Sequence, residues 1–152
     1  MLVDTKYFGQ TEIDPAHVIV FQNGIPGFNQ DNQFILLDFP DHSLFQILQS
    51  IDTRDTAFFV INPYSLFHHY EFRLDDSSIE TLQLSNEEDI VVLSIVTLKR
   101  PFATSTVNLK APIIINSKRN LGKQYIINAV EYPSRAPITT NDPSKVKGES
   151  SC

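Results

Sequence analysis

Apolar positions along this chain fall in short runs, rich in β-branched and aromatic residues and separated by turn-forming residues. Residues 70–74 (YEFRL) alternate: Tyr70, Phe72 and Leu74 share one face and Glu71 and Arg73 the other, the period of a half-exposed strand. Residues 57–61 (AFFVI) and 90–98 (IVVLSIVTL) are apolar on both faces and belong in the middle of a sheet. Strands are also predicted over 2–8, 18–21, 34–38, 45–50, 105–109, 112–117 and 124–131. Helical signals are confined to 77–84 and 85–90. There Ser77 with Glu80, and Ser85 with Glu88, have capping-box spacing. No crossover is long enough to join parallel strands, so the pattern predicts a mostly β fold: a small antiparallel β-barrel or barrel-like sandwich with one or two short helices.

Polar composition after Pro133 ends the pattern. Residues 1–133 are expected to form one β-barrel-like domain and 134–152 a flexible polar tail. The longest apolar run is too short for a bilayer, which takes about 20 residues, and no signal-peptide pattern opens the chain. The one cysteine, Cys152, staples nothing, so a cytoplasmic location is expected.

Charge changes this picture more than length does. The net charge of −6 conceals a split: residues 1–98 carry three basic and 15 acidic side chains, residues 99–152 nine and three. An acidic protein repels nucleic acid and attracts basic proteins through its long-range field. The basic third (Lys99, Arg100, Lys110, Lys118, Arg119, Lys123) leaves an alternative open, an RNA-binding module, although only Phe102 and Tyr125 are interleaved as stacking platforms.

Motifs for chemistry are weak. Residues 21–28 (FQNGIPGF) lack the spacing and the lysine of a phosphate loop. Pro26-Gly27 instead suits a type II turn, with Ile25 beside it as a possible apolar knuckle. His68 and His69 point to opposite faces of an extended chain and predict no metal site. No serine sits in a nucleophile elbow, and the acidic pairs lie in polar connections. These residues predict no enzyme, no cofactor and no metal.

Several stretches together resemble the flagellar assembly factor FliW family: TKYFGQ (5–10), FQNGIPGF (21–28), FILL (34–37), LQSIDT (48–53), AFFVINPYSLFHHYEFRL (57–74), VNLKAPIIIN (107–116) and GKQYII (122–127). They run in order to about Tyr132, and the tail from Ser134 lies outside the resemblance. The resemblance implies a cytoplasmic regulator with a small β-barrel and two protein partners. One is flagellin. The other is CsrA, the translational repressor of flagellin, which the factor captures once flagellin has been exported. Direct nucleic-acid or membrane binding is not implied. On this reading acidic residues face the basic, RNA-holding CsrA, with Glu71, Asp75, Asp76, Glu87 and Glu88 as the candidates. Phe21, Ile25, Phe28 and Phe45 are the candidates for an apolar groove that takes a helical flagellin terminus, unless the phenylalanines are core.

Overall fold

The computed structural model describes residues 1–40, 44–128 and 132–138. It opens with a hairpin, β1 (Leu2–Thr5) and β2 (Gly9–Glu12). β3 (Ile19–Val20), β4 (Gln33–Asp38), β5 (Phe45–Ser50) and β6 (Ala57–Ile61) follow. Then come a helix α1 (Asp76–Thr81), β7 (Ile90–Thr97), β8 (Thr106–Val107), β9 (Ile113–Asn116), β10 (Leu121–Gln124) and β11 (Ala136–Pro137). β7, β6, β5, β4, β3, β10 and β9 neighbour one another in that order, and β9 pairs back onto β7, so seven strands close a barrel. Every pairing is antiparallel except β10 with β3. The mostly β barrel read from the pattern is the observed fold.

Register sorts the side chains. Phe34, Leu48, Val60, Leu93, Ile113 and Ile115 point into the barrel, where Phe21 and Ile25 join them in one buried cluster. The alternate residues face outward and are covered twice. The β1–β2 hairpin lays Val3 over Ile35 and Leu37. A second cluster packs Phe67, Tyr70, Leu109, Ile127, Ala136 and Ile138 against Phe45, Ile61 and Val96. β7 and β6 are therefore apolar on both faces because each face meets a core.

The FQNGIPGF loop plugs the barrel. Phe21 and Ile25 are 0% and 2% exposed, and Phe28 lies edge-on to Phe58 at 5.2 Å between ring centroids. The expected turn is present: Phe28 N–H donates to Ile25 O at 2.6 Å and Gly27 has φ +91. Gly122 on β10 leaves room for the Phe21 ring, since a Cβ there would come within 2.6 Å of Phe21 Cζ. LQSIDT forms a polar joint beneath the hairpin. Gln49, fully buried, accepts from Lys6 N–H at 3.0 Å and donates to Arg54 O at 3.0 Å. Asp31 accepts from the hydroxyls of Ser50 and Thr53 at 2.8 and 2.7 Å. Gln49, Ser50 and Asp31 are thus paired rather than left as a cost.

Several expectations need correction. Residues 70–74 keep their alternation but form no strand, because side chains take their backbone groups. Glu71 N–H donates to the Tyr132 hydroxyl, and the Tyr125 hydroxyl donates to Arg73 O. Of the strand expected over 124–131, only Gln124 is in a strand among the described residues, as the last residue of β10 (Leu121–Gln124), and residues 129–131 lie outside the described residues. The predicted strand 2–8 ends at Thr5, and polar β2 carried no apolar signal. The helix is capped by Asp75, which accepts from Ser78 N–H, and not by Ser77. The folded part also runs past Pro133: β11 pairs with β8, with Ala136 and Ile138 buried. The remainder of the expected tail, Cys152 included, lies outside the described residues.

Candidate functional site

On the outer face of β7 and β9 the second covering leaves a gap. Ile90 and Val92 of β7 and Ile114 of β9 form the apolar base of a surface cleft of about 1550 Å³. One wall is the run Glu71–Asp76, with Phe72 and Leu74 turned inward. The other comes from α1 and the residues after it, through Ile79, Leu84 and Glu87. Tyr64 and Tyr132 also line it.

Asn116, 2% exposed, holds the helical wall in place. Its amide Nδ2–H donates to Leu82 O at 2.8 Å and to Gln83 O at 3.1 Å, tying the end of α1 to β9. Its Oδ1 accepts from Lys118 and Arg119 N–H, closing the turn into β10. The helix stops in a Schellman motif: Leu84 N–H reaches Ile79 O, Gln83 N–H reaches Glu80 O, and Gln83 takes φ +54. The start of α1 is pinned as well, since Lys123 Nζ donates to the buried Ser78 Oγ at 3.0 Å.

Charge at the rim is one-sided. Glu71, Asp75, Asp76 and Glu87 line the cleft, with Arg73 as the cation among its lining residues. Hydrogen bonds from the Ser78 hydroxyl and N–H, helped by the Lys123 ammonium, hold Asp75 below the usual carboxylate range. Burial, with Tyr132 and Glu71 adding, pushes the Tyr64 phenol up, so it stays protonated beside the acids. Negative charge over an apolar base suits a partner surface that is basic at its edge and apolar at its centre. Among the described residues, no group of three or more His, Cys, Asp or Glu is arranged to hold a metal ion.

The predicted acidic residues gather here with one exception. Glu88 is exposed in the short turn Glu87–Asp89 and does not line the cleft. The predicted apolar groove is corrected by burial. Phe21, Ile25 and Phe45 are 0%, 2% and 9% exposed and belong to the two cores, which leaves Phe28 at 40% as the exposed member. The loop folds back into the barrel mouth instead of projecting, because Phe21 and Ile25 gain by leaving water together within the barrel core. Sequence reading missed the cleft's apolar members, Ile79, Leu84 and Val92. The alternation in 70–74 and the amphipathic run 77–84 were the available signals.

The family model for FliW protein matches residues 2–138. The chain belongs to the FliW family. The flagellar assembly factor FliW of Oceanobacillus iheyensis is 44% identical over 138 residues, covering 91% of this chain and 94% of that protein. The FliW of Bacillus subtilis is 41% identical over 138 residues, at 91% and 96% coverage. The FliW of Clostridium kluyveri is 40% identical over 152 residues, covering all of both chains. The FliW likeness therefore extends beyond Ser134, where the motifs alone had placed its end. A crystal structure of the flagellar assembly factor FliW superposes with a TM-score of 0.87 at 40% identity, covering 91% of this chain and 96% of that one.

Proposed function

We propose that this chain acts in flagellar assembly by docking proteins and without transforming any molecule. Its acid-rimmed cleft takes CsrA, and a separate surface takes flagellin. While flagellin accumulates in the cytoplasm it occupies the factor. Once it is exported, the freed factor captures CsrA and lifts repression of flagellin synthesis. Family membership supports the assembly role, and the two partners come from the family resemblance. The observation that carries the CsrA reading is the gathering of Glu71, Asp75, Asp76 and Glu87 around one apolar base. A field of that sign beside the RNA-holding edge of a basic protein disfavours RNA without occupying the RNA site. Among the described residues, no helix is long and apolar enough to cross a membrane.

The rival RNA-binding reading needs the basic residues in one stripe, and the fold disperses them. Lys118 and Arg119 follow Asn116, which pairs with the first residue of β7, whereas Lys99 and Arg100 lie beyond the last. Lys123 is engaged by Ser78. The test is association with purified CsrA for the chain carrying Glu71→Gln, Asp75→Asn, Asp76→Asn and Glu87→Gln. Steered association exceeds the neutral rate by about 10²–10³ at low salt, so a loss of about tenfold or more is expected. The difference should shrink toward 1 M salt, where the screening length is about 3 Å. Unchanged rates at low salt would refute the role of the cleft.

A further inference from the structure

The cleft wall over residues 70–75 has the period of a strand, yet it is paired with none. Exposure alternates along it: Tyr70, Phe72 and Leu74 are buried or half-buried, and Glu71, Arg73 and Asp75 are exposed. On the inner side the Tyr70 and Phe72 rings meet at 5.4 Å, and Phe72 stacks on Tyr125 at 6.0 Å. The backbone is equally two-sided. Glu71 N–H donates to the Tyr132 hydroxyl and Arg73 O accepts from the Tyr125 hydroxyl, both at 2.9 Å. In an extended chain the N–H and C=O groups of successive residues point to opposite edges, so those of Phe72 and Leu74 point away from the two tyrosines. Among the described residues nothing bonds to them, and both residues line the cleft.

An unpaired edge of this kind is a template for a further strand. A helix laid in the cleft would cover these backbone groups without pairing them, which costs free energy. An antiparallel strand pairs them. Its residues opposite Phe72 and Leu74 exchange hydrogen bonds with them and turn their side chains to the same face, toward Ile90, Val92 and Ile114. The residues between and beside those turn outward, opposite Glu71, Arg73 and Asp75, and cross-strand charges there attract or repel by sign.

We propose that the cleft takes its protein partner by strand addition: an extended segment reading basic–apolar–neutral–apolar–basic pairs antiparallel with residues 71–75. The proposal rests on the docking reading of the cleft above, and goes beyond it in stating the conformation and residue pattern of the docked segment, whichever protein carries it. The two apolar residues of the segment lie over the cleft base. Its end cations meet Glu71 and Asp75, on a rim that Asp76 and Glu87 make still more negative. Its middle residue faces Arg73, where a third cation is repelled.

The test is an NMR titration of the full chain with the end-blocked peptide Lys-Val-Thr-Val-Lys, up to millimolar concentration. The amide protons of Phe72 and Leu74 should move downfield as they enter hydrogen bonds. N-methylation of both valines, whose N–H groups face the wall, should abolish those shifts. N-methylation of the threonine, whose N–H faces away, should leave affinity within about twofold. Replacing the threonine by lysine should weaken binding about twofold or more, as should Glu71→Gln with Asp75→Asn, and both effects should shrink at high salt. No shift at Phe72 and Leu74, indifference to valine methylation, or loss on threonine methylation would overturn strand addition. In that event, a loss of CsrA association in the four-fold neutral chain would leave the cleft reading standing. The expected methylation pattern in a chain whose CsrA association survives neutralisation would uphold strand addition and assign the segment to another protein.

Discussion

Gly122→Ala is the smallest change that probes how this barrel is closed. The added methyl would sit 2.6 Å from Phe21 Cζ and 2.8 Å from Cε1, well inside van der Waals contact. Phe21 is fully buried, packed edge-on against the equally buried Phe34 at 5.2 Å, so the ring has nowhere to retreat without moving a second ring. Overpacking of this kind costs about 1–3 kcal/mol, since the strain is spread over rotamers and strand positions rather than relieved. Equilibrium urea denaturation should show the unfolding free energy lowered by that amount, and the midpoint by that amount divided by an unchanged slope, because the surface exposed on unfolding stays the same. Shortening the ring's reach should relieve the clash. Phe21→Leu alone is destabilising, but combined with Gly122→Ala it should fall short of additivity by about 1 kcal/mol or more, the sign of direct contact. A Gly122→Ala chain as stable as its parent, or strict additivity in the pair, would mean that Phe21 is not seated against β10.

Other expectations are read the same way. Asn116→Ala strips the amide from Leu82 O and Gln83 O and should cost about 1–3 kcal/mol for the buried groups left unpaired, with hydrogen exchange rising across α1. Gln83→Gly relieves a side chain at φ +54 and should stabilise by about 1 kcal/mol in the same denaturation assay. Burial raises the Tyr70 phenol above its ordinary value, and its hydroxyl donates to Leu109 O at 2.6 Å. That stabilisation is complete below the unfolded value of about 10 and is lost as pH rises beyond it, so Tyr70→Phe should flatten the alkaline fall in stability. Asp75 has the opposite sign: its depressed value means a contribution present above the unfolded carboxylate range and lost as pH falls through the folded one, so Asp75→Asn should flatten the acid limb.

The sequence was legible where one local rule settled the outcome. The doubly apolar runs that became β6 and β7, the Pro26–Gly27 turn and the acidic runs around the cleft all follow from neighbouring residues. What it hid was tertiary. Strand β2 (Gly9–Glu12) is polar and exists because the Thr5–Gly9 turn folds it onto β1. Residues 70–74 alternate as a strand would, yet two tyrosine hydroxyls claim their backbone. Phe21 and Ile25 flank a turn, where apolar groups read as exposed, but the loop turns inward to close the barrel mouth. The cleft's carboxylates were visible as charge, while its apolar base depends on β9 pairing back to β7 across the sheet.

The most direct measurement of the central claim is amide protection of the full chain upon addition of CsrA. The account predicts slowed exchange at Glu71–Asp76, across α1 to Glu87, and along Ile90–Val92, with the Tyr7–Phe8 turn and the Phe102 loop unaffected. Protection confined to that turn and loop, or none anywhere at saturating CsrA, would contradict it.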